Sequence, residues 1–121
     1  MDLLFKRKNK TLIILITGDI DHHTSKELRR QTESALMQLG GRNIIFGFEN
    51  VTFMDSSGIG MLIGRYKQLQ VFGGRIAIAG AQGKTAEILQ LSGLKDLLPL
   101  FETVEEALAY TEGRINHEIS K

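Results

Sequence analysis

Apolar residues recur along this chain in two alternating rhythms: short unbroken runs, and longer stretches in which they return every three or four positions. Leu3 to Phe5 and Leu12 to Thr17 flank the basic, polar stretch Lys6 to Lys10, which predicts two antiparallel strands joined by an exposed turn. The run Leu12-Ile13-Ile14-Leu15-Ile16 is apolar at every position, so this strand is expected inside the sheet with both faces covered, and Gly18 is expected to end it. After a loop carrying Asp19-Ile20-Asp21-His22-His23, the tetrad Thr24-Ser25-Lys26-Glu27 has the spacing of a capping box. Leu28, Thr32, Ala35, Leu36 and Leu39 then predict an amphipathic helix over Thr24 to Leu39, stopped by Gly40-Gly41.

Asn43 to Phe48 predicts a further strand, leading through Glu49 to Thr52 into Phe53-Met54-Asp55-Ser56-Ser57-Gly58-Ile59-Gly60. A second helix comes next, with Ile59, Leu62, Ile63, Tyr66 and Leu69 on one face and Gly73-Gly74 at its end. Arg75 to Ala79 reads as a strand, Lys84 to Leu91 as a short helix, and Leu97 to Phe101 as a brief strand around Pro99. Thr103 to Glu106 gives a second capping box, opening a last helix with Val104, Ala107, Leu108 and Thr111 on one face. The polar tail from Glu112 to Lys121 is expected to fray, which sets a domain over residues 1–112 and a tail over 113–121.

Strands alternating with helices imply an α/β fold bordering on α+β: one domain, a mixed but mainly parallel sheet of four to five strands, and four helices. Ligands of such sheets gather at loops beyond the carboxyl ends of the strands. Asp19 to Thr24 and Asp55 to Gly60 both follow strand ends, so they are expected to share one surface.

Length and composition narrow the function. A chain of 121 residues holds one domain with a real core, and 15 Lys plus Arg against 14 Asp plus Glu give no excess field for nucleic acid or anionic lipid. Without cysteine there is no disulfide framework, thiolate metal site or thiol nucleophile. The N-terminus has its positive charges after a very short apolar stretch, unlike a signal peptide, and the five-residue run Leu12 to Ile16 is far below the roughly 20 residues that span a bilayer. A cytoplasmic protein with no membrane insertion is expected.

The octapeptide Phe53 to Gly60 carries the chemistry. It seats Ser56 and Ser57 where a strand gives way to a helix, and the first amides of a helix, at the positive end of its dipole, favour an anion such as a phosphorylated serine. Asp-Ser-Ser is also what an ordinary helix cap would use, although capping needs only one such residue. Gly58 and Gly60 are expected to leave room for a macromolecule.

Other motifs fail on spacing. His22 and His23 lack a third ligand at a metal-site interval, and His117 lies in the tail. Gly83-Lys84-Thr85 follows a strand, but the first glycine that a Walker A loop requires falls on Ile78. The nucleophile elbow wants glycine two residues before its serine, where Ser56 has Met54 and Ser57 has Asp55. No catalytic residue, metal or cofactor is assigned, and a small nucleotide-binding enzyme is kept only as an alternative.

The stretches Gly18-Asp19-Ile20-Asp21-His22-His23-Thr24, Phe53 to Gly60, Gly64-Arg65-Tyr66-Lys67-Gln68 and Leu91-Ser92-Gly93-Leu94, in that order, resemble the STAS domain family. Within that family the pairing of Asp-His-His-Thr with Phe-Met-Asp-Ser-Ser-Gly is similar to the anti-sigma F factor antagonists, over nearly the whole chain. The resemblance implies a non-enzymatic, phosphorylation-controlled partner switch of sporulation. Unphosphorylated, such a protein binds an anti-sigma factor that is also a serine kinase, in its ADP form, and so releases sigma F. The ATP-bound kinase phosphorylates the antagonist and lets it go, and a PP2C-type phosphatase resets the cycle. Carried over by position, the resemblance makes Ser56, and not Ser57, the phosphoacceptor and Asp21 a partner contact; His22, Thr24, Asp55, Ser57, Gly58 and Met61 are expected to bind the partner with it. A STAS module of another signalling complex or a transporter is the alternative reading. Ala79 to Thr85 departs from the family's usual sequence, so no functional residue is placed there.

Overall fold

The computed structural model describes residues 1–115. Strand β1 (Asp2–Lys8) pairs antiparallel with β2 (Thr11–Ile20) across a turn at Asn9, whose φ of 55° lies in the left-handed region that asparagine tolerates. The expected stop at Gly18 is absent. Gly18 adopts φ 114° beside a register shift, with its bare face 3.2 Å from Met1 Cα, so it bends the strand and lets pairing continue to Ile20.

The chain continues through α1 (His22–Leu39), β3 (Asn43–Met54), α2 (Ser56–Gln70), β4 (Ile76–Ala79), α3 (Gly83–Leu91), a 3-10 turn (Leu94–Asp96), β5 (Leu100–Phe101) and α4 (Val104–Thr111). The five strands lie in sequence order, and β2 to β5 are all parallel. This is the α/β arrangement expected, with the antiparallel pair at one side. β3 absorbs Glu49 to Thr52 and reaches Met54, because its far half pairs with the extended end of β2.

Alternation along the central strands divides the core. Leu12, Ile14, Ile16, Ile44, Phe46, Phe48, Ile76 and Ile78 face α1, α2 and α3, meeting Leu28, Leu62, Leu69 and Leu89. Ile13, Ile45, Ala77 and Ala79 face the other way and pack on Ala107 and Leu108 of α4. Both faces of β2 are therefore covered, as its unbroken apolar run predicts, and burying each large side chain stabilises by about 1.5–3 kcal/mol.

The capping box at Thr103 forms as expected, with Thr103 Oγ1 accepting from the Glu106 amide at 3.1 Å. Glu112 does not fray, since its carboxylate accepts from the Lys10 amide at 3.2 Å and from the Thr11 hydroxyl. The rest of the expected tail from 116 onward, His117 included, lies outside the described residues. Among the described residues no helix is long and apolar enough to cross a membrane.

Candidate functional site

The parallel register places Ile20 opposite Met54, and the Asp55 amide donates to the Ile20 carbonyl at 3.1 Å. Two strands thus end together, each followed by an aspartate that caps a helix. This brings Asp21 and Asp55 to one surface, as the sequence leads one to expect.

At α1 the cap is reciprocal. Asp21 Oδ1 accepts from the His23 amide at 3.0 Å and the Thr24 amide at 2.9 Å, while Thr24 Oγ1 accepts from the Asp21 amide at 2.8 Å. The capping box therefore lies one turn earlier than the Thr24 to Glu27 spacing suggested. The aspartate wins because its carboxylate takes two first-turn amides at once, and Glu27 is drawn away to Arg30 and Gln31. His22 and His23 become exposed helical residues instead of loop residues. Hydrogen bonds from the Thr24 amide and hydroxyl, with a smaller contribution from His23, hold the Asp21 carboxyl below its ordinary range.

At α2 the cap is single. Asp55 Oδ1 accepts from the Ser57 amide at 2.8 Å, and the Gly58 amide donates to the Asp55 carbonyl at 3.0 Å. The amide socket expected for an anion is thus already engaged by Asp55. A phosphate here would gain from the helix dipole more than from these amides. Ser56, the first residue of α2, is exposed and takes no part in the cap.

Ser57 is half-buried and lines a groove of about 580 Å³ between α1 and α2, together with His22 and Met61, which is itself only 6% exposed. Gly58 does not open the site. It is buried, and a Cβ there would stand 2.5 Å from Met54 Cγ and 3.0 Å from Ile20 Cγ2, so its missing side chain admits the helix to the core. Gly60 and Gly64 do the opposite: a Cβ on either would meet nothing within 4 Å, and both line the groove.

The groove also holds residues whose sequence context suggests no role: Lys26, Arg29, Arg30 and Glu33 of α1, and Arg65 of α2. Arg65 was legible in one respect. It occupies the same helix face as Leu62 and Leu69, where a charged residue is out of place. Elsewhere, Thr85 of the Gly83-Lys84-Thr85 segment is buried in the first turn of α3, whose N-cap Gln82 makes no side-chain cap bond. Among the described residues no group of three His, Asp or Glu side chains could hold a metal ion.

Comparison with known proteins places this geometry. Residues 3–107 match the family model of the STAS domain. The chain is 35% identical over 101 residues to the anti-sigma F factor antagonist of Paenibacillus polymyxa, covering 84% of this chain and 86% of that one. It is 31% identical over 98 residues to the anti-sigma-B factor antagonist of Staphylococcus aureus, covering 81% and 90%. The Bacillus cell fate determinant SpoIIAA, solved in its phosphorylated form, superposes with a TM-score of 0.69 at 30% identity, over 88% of this chain and 96% of that one. The chain belongs to the STAS domain family.

Proposed function

We propose that this protein is an anti-sigma factor antagonist whose grip on its partner is controlled by phosphorylation of Ser56. The observation that carries the reading is the start of α2. An exposed serine sits there outside the cap, on a surface shared with a second capped helix start, in a chain related to a protein solved in phosphorylated form. The partner is an anti-sigma factor that is also a serine kinase. Its ADP-bound form is held by the unphosphorylated antagonist, releasing the sigma factor, and its ATP-bound form phosphorylates Ser56 and dissociates. A PP2C-type phosphatase restores the starting state. The protein acts by binding and has no catalytic residue of its own. Asp21, His22, Thr24, Ser57 and Met61 form the docking face, with Asp55 capping the helix that carries the acceptor and Gly58 seating that helix on the core.

The physics favours a switch that acts on the surface alone. A phosphate adds about −1.5 to −2 charges beside the Asp55 carboxylate, in a face that a partner must desolvate. The helix dipole offsets part of this within the domain, by about 0.3–1 kcal/mol for an exposed group, so the fold survives. Weakening a complex from 1 μM to 1 mM takes only about 4 kcal/mol, within reach of one uncompensated charge in an interface.

Sigma F is the regulated factor in this reading, since the relative at 35% identity is an anti-sigma F factor antagonist. Sigma B is the second reading, favoured by the relative at 31%. Incubation with an anti-sigma factor kinase and ATP, followed by mass spectrometry, tests the acceptor: phosphate is expected on Ser56 and absent from Ser56→Ala, whereas phosphate on Ser57 alone overturns the assignment. Release of sigma F or sigma B from its anti-sigma factor in a reconstituted mixture decides between the two.

A further inference from the structure

Arg65 is the one charged residue among the buried side chains of the described residues, at 8% exposure. Its guanidinium is poorly answered. Nε donates to Gln68 Oε1 at 2.9 Å, Nη2 lies 3.6 Å from Glu33 Oε1, and Nη1 is buried with no acceptor among the described residues. Glu33 is itself shared, lying 3.7 Å from Arg29 Nε. Burying a guanidinium costs stability unless its N–H groups are paired, so an open donor beside a groove marks the place of a missing acceptor.

The surroundings are predominantly cationic, although Arg30 is paired with Glu27 outside the groove lining. Lys26, Arg29, Arg30 and Arg65 line the groove against the single carboxylate of Glu33. Arg29 adds to burial in making the charge on Arg65 less favourable. The floor is bare backbone at Gly60 and Gly64, where a side chain would project into open space, and about 580 Å³ accommodates several residues of a peptide.

We propose that the groove between α1 and α2 receives a carboxylate-bearing segment of the protein partner, with the Arg65 guanidinium as its anchor. This rests on the reading that a partner docks at the start of α2. An acidic segment matches the charge of the groove, and its planar carboxylate suits the fork of an arginine. It is also the occupant that a phosphate on the neighbouring serines opposes twice, by repelling it and by drawing on the same cations.

The test uses Arg65→Met, which keeps the stem and removes the charge, and Gly64→Leu, which fills the floor from a Cβ position that has no atom within 4 Å. With a hexaglutamate peptide as probe, followed by calorimetry and the Arg65 Nε–Hε resonance, the parent is expected to bind saturably and more weakly as salt rises. Both variants should bind at least ten-fold more weakly, with melting temperatures no lower than the parent's for Arg65→Met. Equal peptide binding by parent and Arg65→Met, or saturable binding of inorganic phosphate without binding of the peptide, overturns the proposal. Affinity for an ADP-bound anti-sigma factor kinase should fall at least ten-fold in Arg65→Met, and an unchanged value overturns it as well. If the peptide behaves as stated and no such kinase binds the parent, the functional reading falls while the acidic-segment groove stands.

Discussion

The starts of α1 and α2 lie side by side at the carboxyl end of the sheet, and their cap residues share nearly the same backbone angles. Asp21 has φ −112° and ψ −171°, Asp55 φ −109° and ψ −171°, and each aspartate accepts from the first turn of its helix. They differ three residues later. Thr24 closes the box at α1, whereas the equivalent position at α2 is Gly58, which has no side chain to reach back. One start is closed through the Thr24 hydroxyl and the other is not, while the first helical residue is exposed at both: His22 at α1 and Ser56 at α2. The same capping aspartate thus serves two starts that differ in how firmly the first turn is tied, by threonine or glycine at the third position, and in whether the exposed first residue carries a hydroxyl.

The largest expected effect comes from removing the glycine that makes the α2 start unusual. Gly58→Val drives a branched side chain into Met54 and Ile20 and should cost about 3 kcal/mol in urea unfolding, through overpacking. Gly60→Val, directed into open space, should cost less than about 1 kcal/mol. Equal losses would show that the two glycines do not differ in the way described. Next, Asp21→Ala should cost about 1–2 kcal/mol and Asp55→Ala about 0.5–1 kcal/mol, because the first removes the acceptor of two amides and of the Thr24 hydroxyl, and the second the acceptor of one amide. Thermal melts of the pair check the order. Ser56→Asp should lie within about 0.5 kcal/mol of the parent in stability, since the hydroxyl takes no part in the cap, while losing at least ten-fold in affinity for the kinase by calorimetry.

The smallest effect is acidic. Hydrogen bonds from Arg30 and Gln31 pull the Glu27 carboxyl from 4.5 to about 2, and the Asp21 carboxyl also lies below its ordinary value. A folded-state value below the unfolded one means that the stabilisation is present above about pH 4.5 and fades as pH falls toward 2. Both groups remain in contact with solvent, which screens their partners, so the change is small. Melting temperature measured from pH 5 to 2 should fall less steeply for Glu27→Gln than for the parent, and identical slopes would remove Glu27 from the acid response.

Much of this was readable in advance where local pattern and tertiary demand agree. The unbroken apolar run of β2, the helical spacing of α1 and the Thr103 capping box each describe a segment whose neighbours ask for what its own residues prefer. Boundaries were less readable. Gly18 looked like a stop because glycine weakens a strand, yet pairing with β3 carries the chain to Ile20. Thr24 looked like a cap because the sequence does not say which of two nearby polar residues faces the helix axis. At the site, the placing of both serines at a helix start was legible from residue type and position, whereas the cationic groove was not, since Lys26, Arg29 and Arg30 lie on the solvated face of an amphipathic helix.

The sequence by itself determined the order of strands and helices, the two capped turns and the placing of serines at one of them, because these depend on residues within a few positions of each other. Only the tertiary structure decided that Gly58 faces inward while Gly60 faces outward, and that Arg65 is buried beside α1 with one N–H unanswered. Those outcomes depend on the parallel register of β2 with β3 and on how two helices meet across it, and the residues concerned are brought together only by packing against the same sheet.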